Sequence, residues 1–390
     1  MAAKLFMVNY SITARFALRV PDFELERWKF TRQYFCKYDL TETGVDPLSM
    51  RDLVGPEVLD LKLDYVTTNG DEKLRKNIAA LYKNVDKDQI LETNGISEAN
   101  FIATNLVLNS GDEVVIEVPT FMQTAGVVEA NGSRVRWLHL REDENYLPNL
   151  ESLNELVTKK TKAIALSHPN NPTGSVLDEK TVKGICEIAS DVGAWILVDE
   201  VYRGIEFEGE FSPSFVDYYD KAVIGSSTSK VWGLAGLRVG WMIGPQEIVD
   251  KGAAYREYTS LSGNPVSEYL ANIALSEPMK SKLIQRGRRL AKDGFETFSK
   301  WMDTHRDIFS WVKPRMGVIA LVKHNLPKSS PELADELFKE KSVAVVPGEV
   351  FNLDKFLRIC YGLPVPKLKE ALALTDDYLE KHMLLNAAGR

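Results

Sequence analysis

The chain has 390 residues, of which 44% are hydrophobic and 26% charged, and 48 Lys and Arg against 55 Asp and Glu give a formal net charge of -7 at pH 7. This length predicts a large domain with a smaller one, or a single large α/β unit with additions. The basic residues are scattered rather than gathered in a stripe, which disfavours nucleic-acid binding. No apolar run approaches the roughly 18 to 20 residues that cross a bilayer, so we expect no membrane role.

The chain start and the cysteines bear on location. The first residues, MAAKLFMVNYSITARF, lack the long apolar segment of a secretory signal. Their few basic and hydroxyl residues leave organelle targeting open, and we expect a cytoplasmic protein. Cys36, Cys186 and Cys360 form an odd, widely spaced set, which argues against a disulfide framework and a structural zinc site. The five His residues form no HxxxH or CxxH cluster, so no metal site is predicted.

The predicted elements change character along the chain. Residues 22 to 36, DFELERWKFTRQYFC, have the pattern of an amphipathic helix and precede the turn-rich TETGVDP. Further helices are predicted at EKLRKNIAALYK and SEANFIATNLVLN. Short apolar runs then alternate with helical patterns such as DEKTVKGICEIASDVG; the runs are EVVIEV, RVRWLHL, KAIALSH, AWILVDE, AVIGSS and RVGWMIG. Beyond about residue 275, charged helical stretches surround predicted strands at GVIALVKH, SVAVVPG and FLRICYG.

This alternation predicts the fold class α/β. Short β-branched runs between amphipathic helices are typical of βαβ crossovers, and hence of a mostly parallel sheet covered by helices on both faces. We expect a smaller α/β domain built from both chain ends. The boundaries predicted are residues 1–48 for an N-terminal helix and substrate loop, 49–275 for the large domain and 276–390 for the C-terminal small domain. Catalytic groups should lie where the strands end.

The segment SSTSKVWGLAGLRVG, residues 226–240, places Lys230 in a hydroxyl-rich turn after an apolar strand. Small residues around it allow a flat ligand to approach the backbone, and Arg238 offers a fixed cation suited to phosphate. Alone, this pattern is more typical of a solvated lysine. Two other segments, SHPNNPTG at 167–174 and LVDEVYRGIEF at 197–207, also end predicted strands with polar groups. Each alone would be a turn or a helix cap, but turn chemistry does not explain their joint occurrence.

Together these motifs resemble the class I/II aminotransferase family of fold-type I pyridoxal-phosphate enzymes. The resemblance extends from Gly44 to Arg358 and has three parts: His168-Pro169-Asn170-Asn171-Pro172-Thr173-Gly174, Asp199-Glu200-Val201-Tyr202, and Ser227-Thr228-Ser229-Lys230 followed by Gly-Leu-Arg-x-Gly. It implies that Lys230 holds pyridoxal 5'-phosphate as a Schiff base and later acts as the general base. Asp199 would face the pyridine nitrogen, and Asn171 and Tyr202 would bond the 3-oxygen.

The resemblance also implies the rest of the cofactor site. TNGISEANF at 93–101 offers backbone N–H groups at the start of a predicted helix, an anion-binding arrangement. Phe121, in EVPTF, stands where the family stacks an aromatic ring on the cofactor. The phosphate would be held by Gly95, Ile96, Ser97, Ser227 and Arg238.

Three further residues are predicted to contact the substrate or the partner subunit's cofactor. Arg358 interrupts an apolar strand and would bind the substrate α-carboxylate, against the alternative of a structural salt bridge. Asn171 and Gly44 are also predicted to bind the substrate. Tyr65 would reach the phosphate of a partner's cofactor, which implies a homodimer with shared active sites.

The implied function is transfer of an α-amino group from an amino acid to a 2-oxo acid. The loop Thr43-Gly44-Val45-Asp46-Pro47-Leu48 departs from the family's usual substrate loop, and no second arginine is assignable to a distal carboxylate. A lyase or cyclase acting by elimination or replacement is therefore a second reading, because one cofactor site serves all these reactions. A non-catalytic amino-acid-binding regulator is a third.

Overall fold

The computed structural model describes residues 20–207 and 209–388, so the expectations drawn from residues 1–16 lie outside the described part. The helices are α1 Glu24–Phe30, α2 Glu72–Ala79, α3 Ile96–Val107, α4 Gln123–Asn131, α5 Leu150–Leu156, α6 Glu179–Val192, α7 Gln246–Arg256, α8 Pro265–Ala274, α9 Met279–Thr304, α10 Ser330–Lys341 and α11 Val365–Ala388. The strands are β1 Tyr38–Asp39, β2 Ile90–Thr93, β3 Glu113–Val118, β4 Arg134–His139, β5 Thr161–Ser167, β6 Trp195–Asp199, β7 Ala222–Ser227, β8 Gly240–Ile243, β9 Phe309–Trp311, β10 Ile319–His324, β11 Val343–Ala344, β12 Val346–Pro347 and β13 Phe356–Cys360.

The large sheet has seven strands in the order β2-β8-β7-β6-β5-β3-β4. Strand β8 runs antiparallel to both β2 and β7, and the remaining neighbours are parallel. The predicted mostly parallel sheet is confirmed. The edge strand β2 was not predicted, since its four residues are too short for a periodicity signal.

Both faces of this sheet are covered. Along the central strands, alternate residues enter two separate apolar clusters, with Ile164 and Ile196 in one and Ala163 and Leu197 in the other. Helix α6 contributes to the first cluster and α3 to the second, so these helices pack on opposite faces. The sheet is thereby buried on both sides, and only its edges and strand ends are free to bind a ligand.

A smaller unit contains both ends of the described part of the chain. Strands β12-β13-β10-β9 form an antiparallel sheet, and β1 pairs in parallel with β11, bringing Tyr38 opposite Val343. The strands predicted at GVIALVKH, SVAVVPG and FLRICYG are confirmed, and β13 carries Arg358. A smaller α/β unit built from both chain ends is therefore present.

The N-terminal helix is shorter than predicted. Helix α1 ends at Phe30, and residues 31–35 form turns. There the Thr31 hydroxyl donates to the carbonyl oxygens of Arg27 and Trp28, an alternative to continued helical bonding.

None of the helices in the described part of the chain combines the length and the apolar character needed to cross a membrane.

Candidate active site

The polar residues of the predicted motifs meet at one edge of the large sheet. Ser167, Asp199 and Ser227 are the last residues of β5, β6 and β7, and parallel strands end at the same edge. A cavity of about 450 Å³ opens there. The predicted residues among its lining are Ile96, Ser97, Phe121, Asn171, Asp199, Tyr202, Lys230, Arg238 and Arg358.

Lys230 lies in this cavity, in the turn after β7. Burial lowers its pKa, and the negative charge of Glu42 opposes that shift. Gly44 packs against the lysine backbone, since a Cβ at this position would lie 3.2 Å from the Ser229 carbonyl oxygen. Val45 N–H donates to the Lys230 carbonyl oxygen at 3.3 Å. The divergent loop thus runs directly beside Lys230.

Asp199 is a buried carboxylate held by two donors. Its Oδ1 accepts from Val201 N–H at 3.1 Å, and its Oδ2 accepts from Asn100 Nδ2 at 3.2 Å. Burial raises its pKa to about 6, although both hydrogen bonds and the charge of Lys230 lower it. Sequence reasoning missed Asn100; its only signal is an amide on the apolar face of α3.

Asn171, Tyr202 and Arg358 form a second group in the cavity. Arg358 is fully buried and donates from Nη1 to Asn171 Oδ1 at 3.1 Å, which leaves the Asn171 amide nitrogen free to donate elsewhere. Its Nη2 donates to the Thr41 carbonyl oxygen at 2.7 Å. Among the described residues, the Tyr202 hydroxyl and Arg358 Nε are buried without a hydrogen-bond partner. Both groups line the cavity, so a ligand bound there would satisfy them.

The loop that carries Asn171 is held in place by two buried groups: Glu117, which sequence reasoning missed, and His168, the first residue of the predicted motif. Glu117 accepts from Ser167 N–H at 2.6 Å and from Asn170 Nδ2 at 2.9 Å, and burial raises its pKa to about 8. Burial lowers the pKa of His168 to about 3, so its ring is neutral and bonds the Pro213 carbonyl oxygen at 3.1 Å. These contacts fix the loop while leaving Asn171 to face the cavity.

The start of α3 forms an anion-binding end of the cavity. Its first N–H groups have no partners within the helix, and Arg238 lies directly over its N-cap, Gly95. Gly95 has φ +75°, and a Cβ there would lie 2.1 Å from Arg238 Nη2. A Cβ on Gly240 would lie 2.4 Å from the Gly95 carbonyl carbon. Ser227 is buried behind this turn, and its hydroxyl accepts from Ser229 N–H at 3.2 Å.

The two predicted aromatic residues differ in position. Phe121 lies in the cavity wall with its ring edge-on to Phe23, the centroids 5.1 Å apart. Tyr65 is 81% exposed and lines a neighbouring cavity of about 870 Å³, to which Arg238 also contributes. The single chain therefore does not bring Tyr65 into the Lys230 cavity.

Charged residues near the N-terminus complete the cavity and were not predicted. Helix α1 contributes Glu26 and Lys29, and Lys29 Nζ lies 3.3 Å from Glu42 Oε1. The helix is anchored to the small unit by Trp28 Nε1, which donates to the Val345 carbonyl oxygen at 2.9 Å. A lysine on the buried face of an amphipathic helix was the available signal.

These residues fit pyridoxal phosphate. Backbone N–H groups and an arginine are the donors that a phosphate takes. The unpartnered hydroxyl of Tyr202 and the free amide of Asn171 suit a phenolic oxygen, and Asp199 suits a protonated ring nitrogen. A lysine of lowered pKa suits the aldehyde.

Comparison with known proteins agrees with this geometry. A sequence model of the family described as aminotransferase class I and II matches residues 62–374. A capreomycidine synthase from Streptomyces vinaceus is 27% identical over 93% of this chain and 95% of its own length. An aspartate aminotransferase from Thermotoga maritima is 28% identical over 82% of this chain and 84% of its own.

Two solved structures resemble the chain over nearly its whole length. A PLP-dependent aminotransferase from Streptococcus suis has a TM-score of 0.89 and 28% identity, covering 93% of this chain and 99% of that one. The PLP-dependent cyclase OrfR has a TM-score of 0.87 and 25% identity, covering 93% of this chain and 98% of that one.

Proposed function

This chain belongs to the class I and II aminotransferases, and we propose that it moves the α-amino group of an amino acid to a 2-oxo acid, using pyridoxal 5'-phosphate held on Lys230. The observation that carries the proposal is a single cavity in which a lysine of lowered pKa faces both a buried carboxylate, Asp199, and a buried arginine, Arg358.

Lys230 has two successive tasks in this proposal. When bound, pyridoxal phosphate supplies the aldehyde that takes the amino group and the ring that withdraws electrons. Lys230 holds the cofactor at rest and, once the substrate amino group replaces it, moves the α-proton. Because burial lowers the lysine pKa, a larger fraction of the free amine is neutral near pH 7 and able to accept that proton.

The remaining cofactor contacts are assigned by chemistry. Asp199 holds the proton on the pyridine nitrogen, oriented by Asn100. The Tyr202 hydroxyl and the Asn171 amide donate to the 3-oxygen. Phe121 stacks on the ring. The phosphate is bound by the start of α3 and by side chains around it: Gly95, Ile96, Ser97, Ser227 and Arg238.

Arg358 is proposed to bind the substrate α-carboxylate, with Asn171 and Gly44 beside it. Its Nε has no partner among the described residues, and its Nη2 bonds a backbone oxygen. A buried guanidinium with a free donor favours a carboxylate ligand over a structural ion pair.

We further propose a cytoplasmic homodimer with shared active sites. Leu63 and Tyr65 are exposed and line the cavity beside Arg238, so a second copy would cover apolar surface and bring its Tyr65 toward the phosphate site.

The free cysteines Cys36, Cys186 and Cys360 support a reducing compartment. For the domains, we propose the boundaries 1–48, 49–275 and 276–390.

The test is a panel of amino acids added to the purified holoenzyme. Amino transfer predicts conversion of the bound cofactor to its pyridoxamine form, followed by recovery of the aldehyde form when a 2-oxo acid is added. An enzyme that retains the aldehyde form with every amino acid that it converts, and that releases ammonia, would contradict the proposal.

A second candidate is a lyase or cyclase built on the same site. It is favoured by the position of Glu42, a carboxylate beside Lys230 that could move a second proton, and by the similarity to the cyclase OrfR. The ammonia measurement in the same panel detects elimination, and mass spectrometry of the amino-acid product detects ring closure.

A further inference from the structure

Three charged side chains in and beside the Lys230 cavity have no part in the contacts assigned above for amino transfer. Asp199, Arg238 and Arg358 are matched by the ring nitrogen, the phosphate and the α-carboxylate. The Lys230 cavity has two further charged residues, Glu26 and Lys29, and Lys29 pairs with Glu42, which lines the adjoining cavity.

In the chain, Glu42 lies between Thr41, which contacts Arg358, and Gly44, which packs against Lys230. Thr41 accepts the hydrogen bond from Arg358 at 2.7 Å. Glu42 lines a second cavity of about 450 Å³, which shares the wall around Lys230 with the first. The side chain of a substrate bound through Arg358 can meet Glu42 only where it extends past Lys230 into this second cavity.

Lys29 and Glu42 form an unequal pair. The Lys29 side chain is only 10% exposed and its Nζ lies 3.3 Å from one oxygen of Glu42, whereas the Glu42 side chain is 47% exposed. Lys29 is thus enclosed and already has its counter-ion. The carboxylate of Glu42 keeps an open side that a ligand can reach.

Glu42 remains ionised in this setting. Burial would raise its pKa, but the positive charges of Lys29, Lys230 and Arg358 outweigh burial and hold the pKa below the ordinary value. Glu26 lines the same cavity as Lys230 and Arg358, and its charge acts on both. Two carboxylates therefore stand at a site that must attract an amino acid with its own negative carboxylate.

The net charge of these side chains indicates which class of amino acid the site can bind. The pair of Lys29 and Glu42 is neutral, and the other charged residues of the second cavity, Lys37, Asp39, Asp46 and Lys367, carry two charges of each sign. Glu26 therefore leaves one negative charge uncompensated. We infer that the substrate is an amino acid whose side chain carries an ammonium or guanidinium group, received by Glu42 and Glu26. This inference rests on the proposed function. A second carboxylate on the substrate would instead meet like charge, which excludes acidic amino acids.

The test measures binding rather than turnover. The probes are 2-methyl amino acids, which lack the α-proton and cannot complete the reaction: 2-methylornithine, 2-methylarginine, 2-methylnorvaline and 2-methylglutamate. Their Kd is read from the absorbance of the bound cofactor in the holoenzyme. At least one cationic probe should bind about tenfold or more tightly than the neutral 2-methylnorvaline, because a charge-assisted hydrogen bond replaces an apolar contact. The anionic probe should bind most weakly.

Variants identify the residues responsible. Glu42→Gln, which preserves shape, should reduce the preference for the cationic probe over the neutral one to about threefold or less. Lys29→Gln releases Glu42 from its partner and should increase that preference. Glu24→Gln changes a carboxylate on the same helix outside the Lys230 cavity, and it should leave the preference unchanged.

The outcomes distinguish a failure of the proposed function from a failure of the inferred cationic substrate. If no probe alters the cofactor absorbance, amino-acid binding at this site fails, and with it the proposed function. If the probes bind but the neutral or anionic one binds as tightly as both cations, the function stands and the cationic substrate is wrong. Loss of 2-methylglutamate binding in Lys29→Gln, from an initially tight value, would identify Lys29 as a carboxylate receptor and overturn the inference.

Discussion

At the scale of single residues, the site contains a group, the Asp199 carboxyl, that lowers the stability of the cofactor-free protein at neutral pH. Asp199 is buried and its pKa is raised to about 6, so the ionised form that suits a protonated ring nitrogen is disfavoured until that partner arrives. An isolated buried carboxylate destabilises the fold in which it lies. Function and stability therefore make opposite demands on this position.

Replacing Asp199 with Asn should separate these demands. In the cofactor-free wild type, the unfolded chain releases the Asp199 proton near pH 4 and the folded chain near pH 6, so stability falls as pH rises across this window. Asp199→Asn removes that loss, and the cofactor-free variant should gain about 1 to 3 kcal/mol at pH 7.5 but little near pH 4. Urea unfolding at several pH values measures this gain.

The same variant should slow amino transfer by about a hundredfold or more, because no anion faces the ring nitrogen. A stability difference that is independent of pH would show that the hydrogen bonds from Asn100 and Val201, rather than the charge, dominate at this position. Unchanged amino transfer would remove Asp199 from the mechanism.

At the scale of elements, the cavity depends on the close approach of α3 and β8. Gly240 at the start of β8 lies against the backbone of Gly95, and Arg238 lies over the same turn. Any side chain at Gly95 must displace the guanidinium that we propose for the phosphate. The helix start and the arginine therefore act as one unit.

Gly95→Ala tests this unit, and the chain offers a matched control. Gly95 and Gly111 both have positive φ, +75° and +91°, but a Cβ at Gly111 meets nothing within 4 Å. Both alanine variants should lose about 1 kcal/mol of stability from backbone strain. Only Gly95→Ala should also weaken cofactor binding, by about tenfold or more, as measured by equilibrium dialysis. Equal cofactor affinity in the two variants would contradict the assignment of this turn.

The elements also show which parts of the fold and of the site can be predicted from the sequence. Six of the seven strands of the large sheet follow from apolar runs of six or seven residues. The placement of Lys230, Asp199 and Asn171 at one edge follows from parallel strands. Asn100 and Glu117 could not be found in this way. Each lies inside an element whose pattern is otherwise ordinary, and its partner is distant in the chain, as Glu117 is from Asn170. Long-range pairing of buried polar groups leaves no local pattern.

At the scale of the whole molecule, the proposed dimer would link assembly to cofactor binding through the exposed residues Leu63 and Tyr65. They line the cavity beside Arg238, so in the proposed dimer the partner completes the phosphate site. A monomer would then bind the cofactor less tightly than the dimer.

Leu63→Asp should shift the protein from dimer to monomer in analytical ultracentrifugation, because a carboxylate would be buried without a partner. Cofactor affinity should fall along with the dimer. Phe35→Asp is the control, since Phe35 is 74% exposed but lies outside that cavity's lining. If Leu63→Asp remains dimeric with full cofactor affinity, the shared site is wrong.

The proposed bond between Lys230 and the cofactor is tested most directly by reducing the holoenzyme with borohydride and mapping the modified peptide by mass spectrometry. We predict a phosphopyridoxyl group on Lys230, and no modified peptide from Lys230→Ala. Modification of a different lysine, or a reducible cofactor link that persists in Lys230→Ala, would contradict the account.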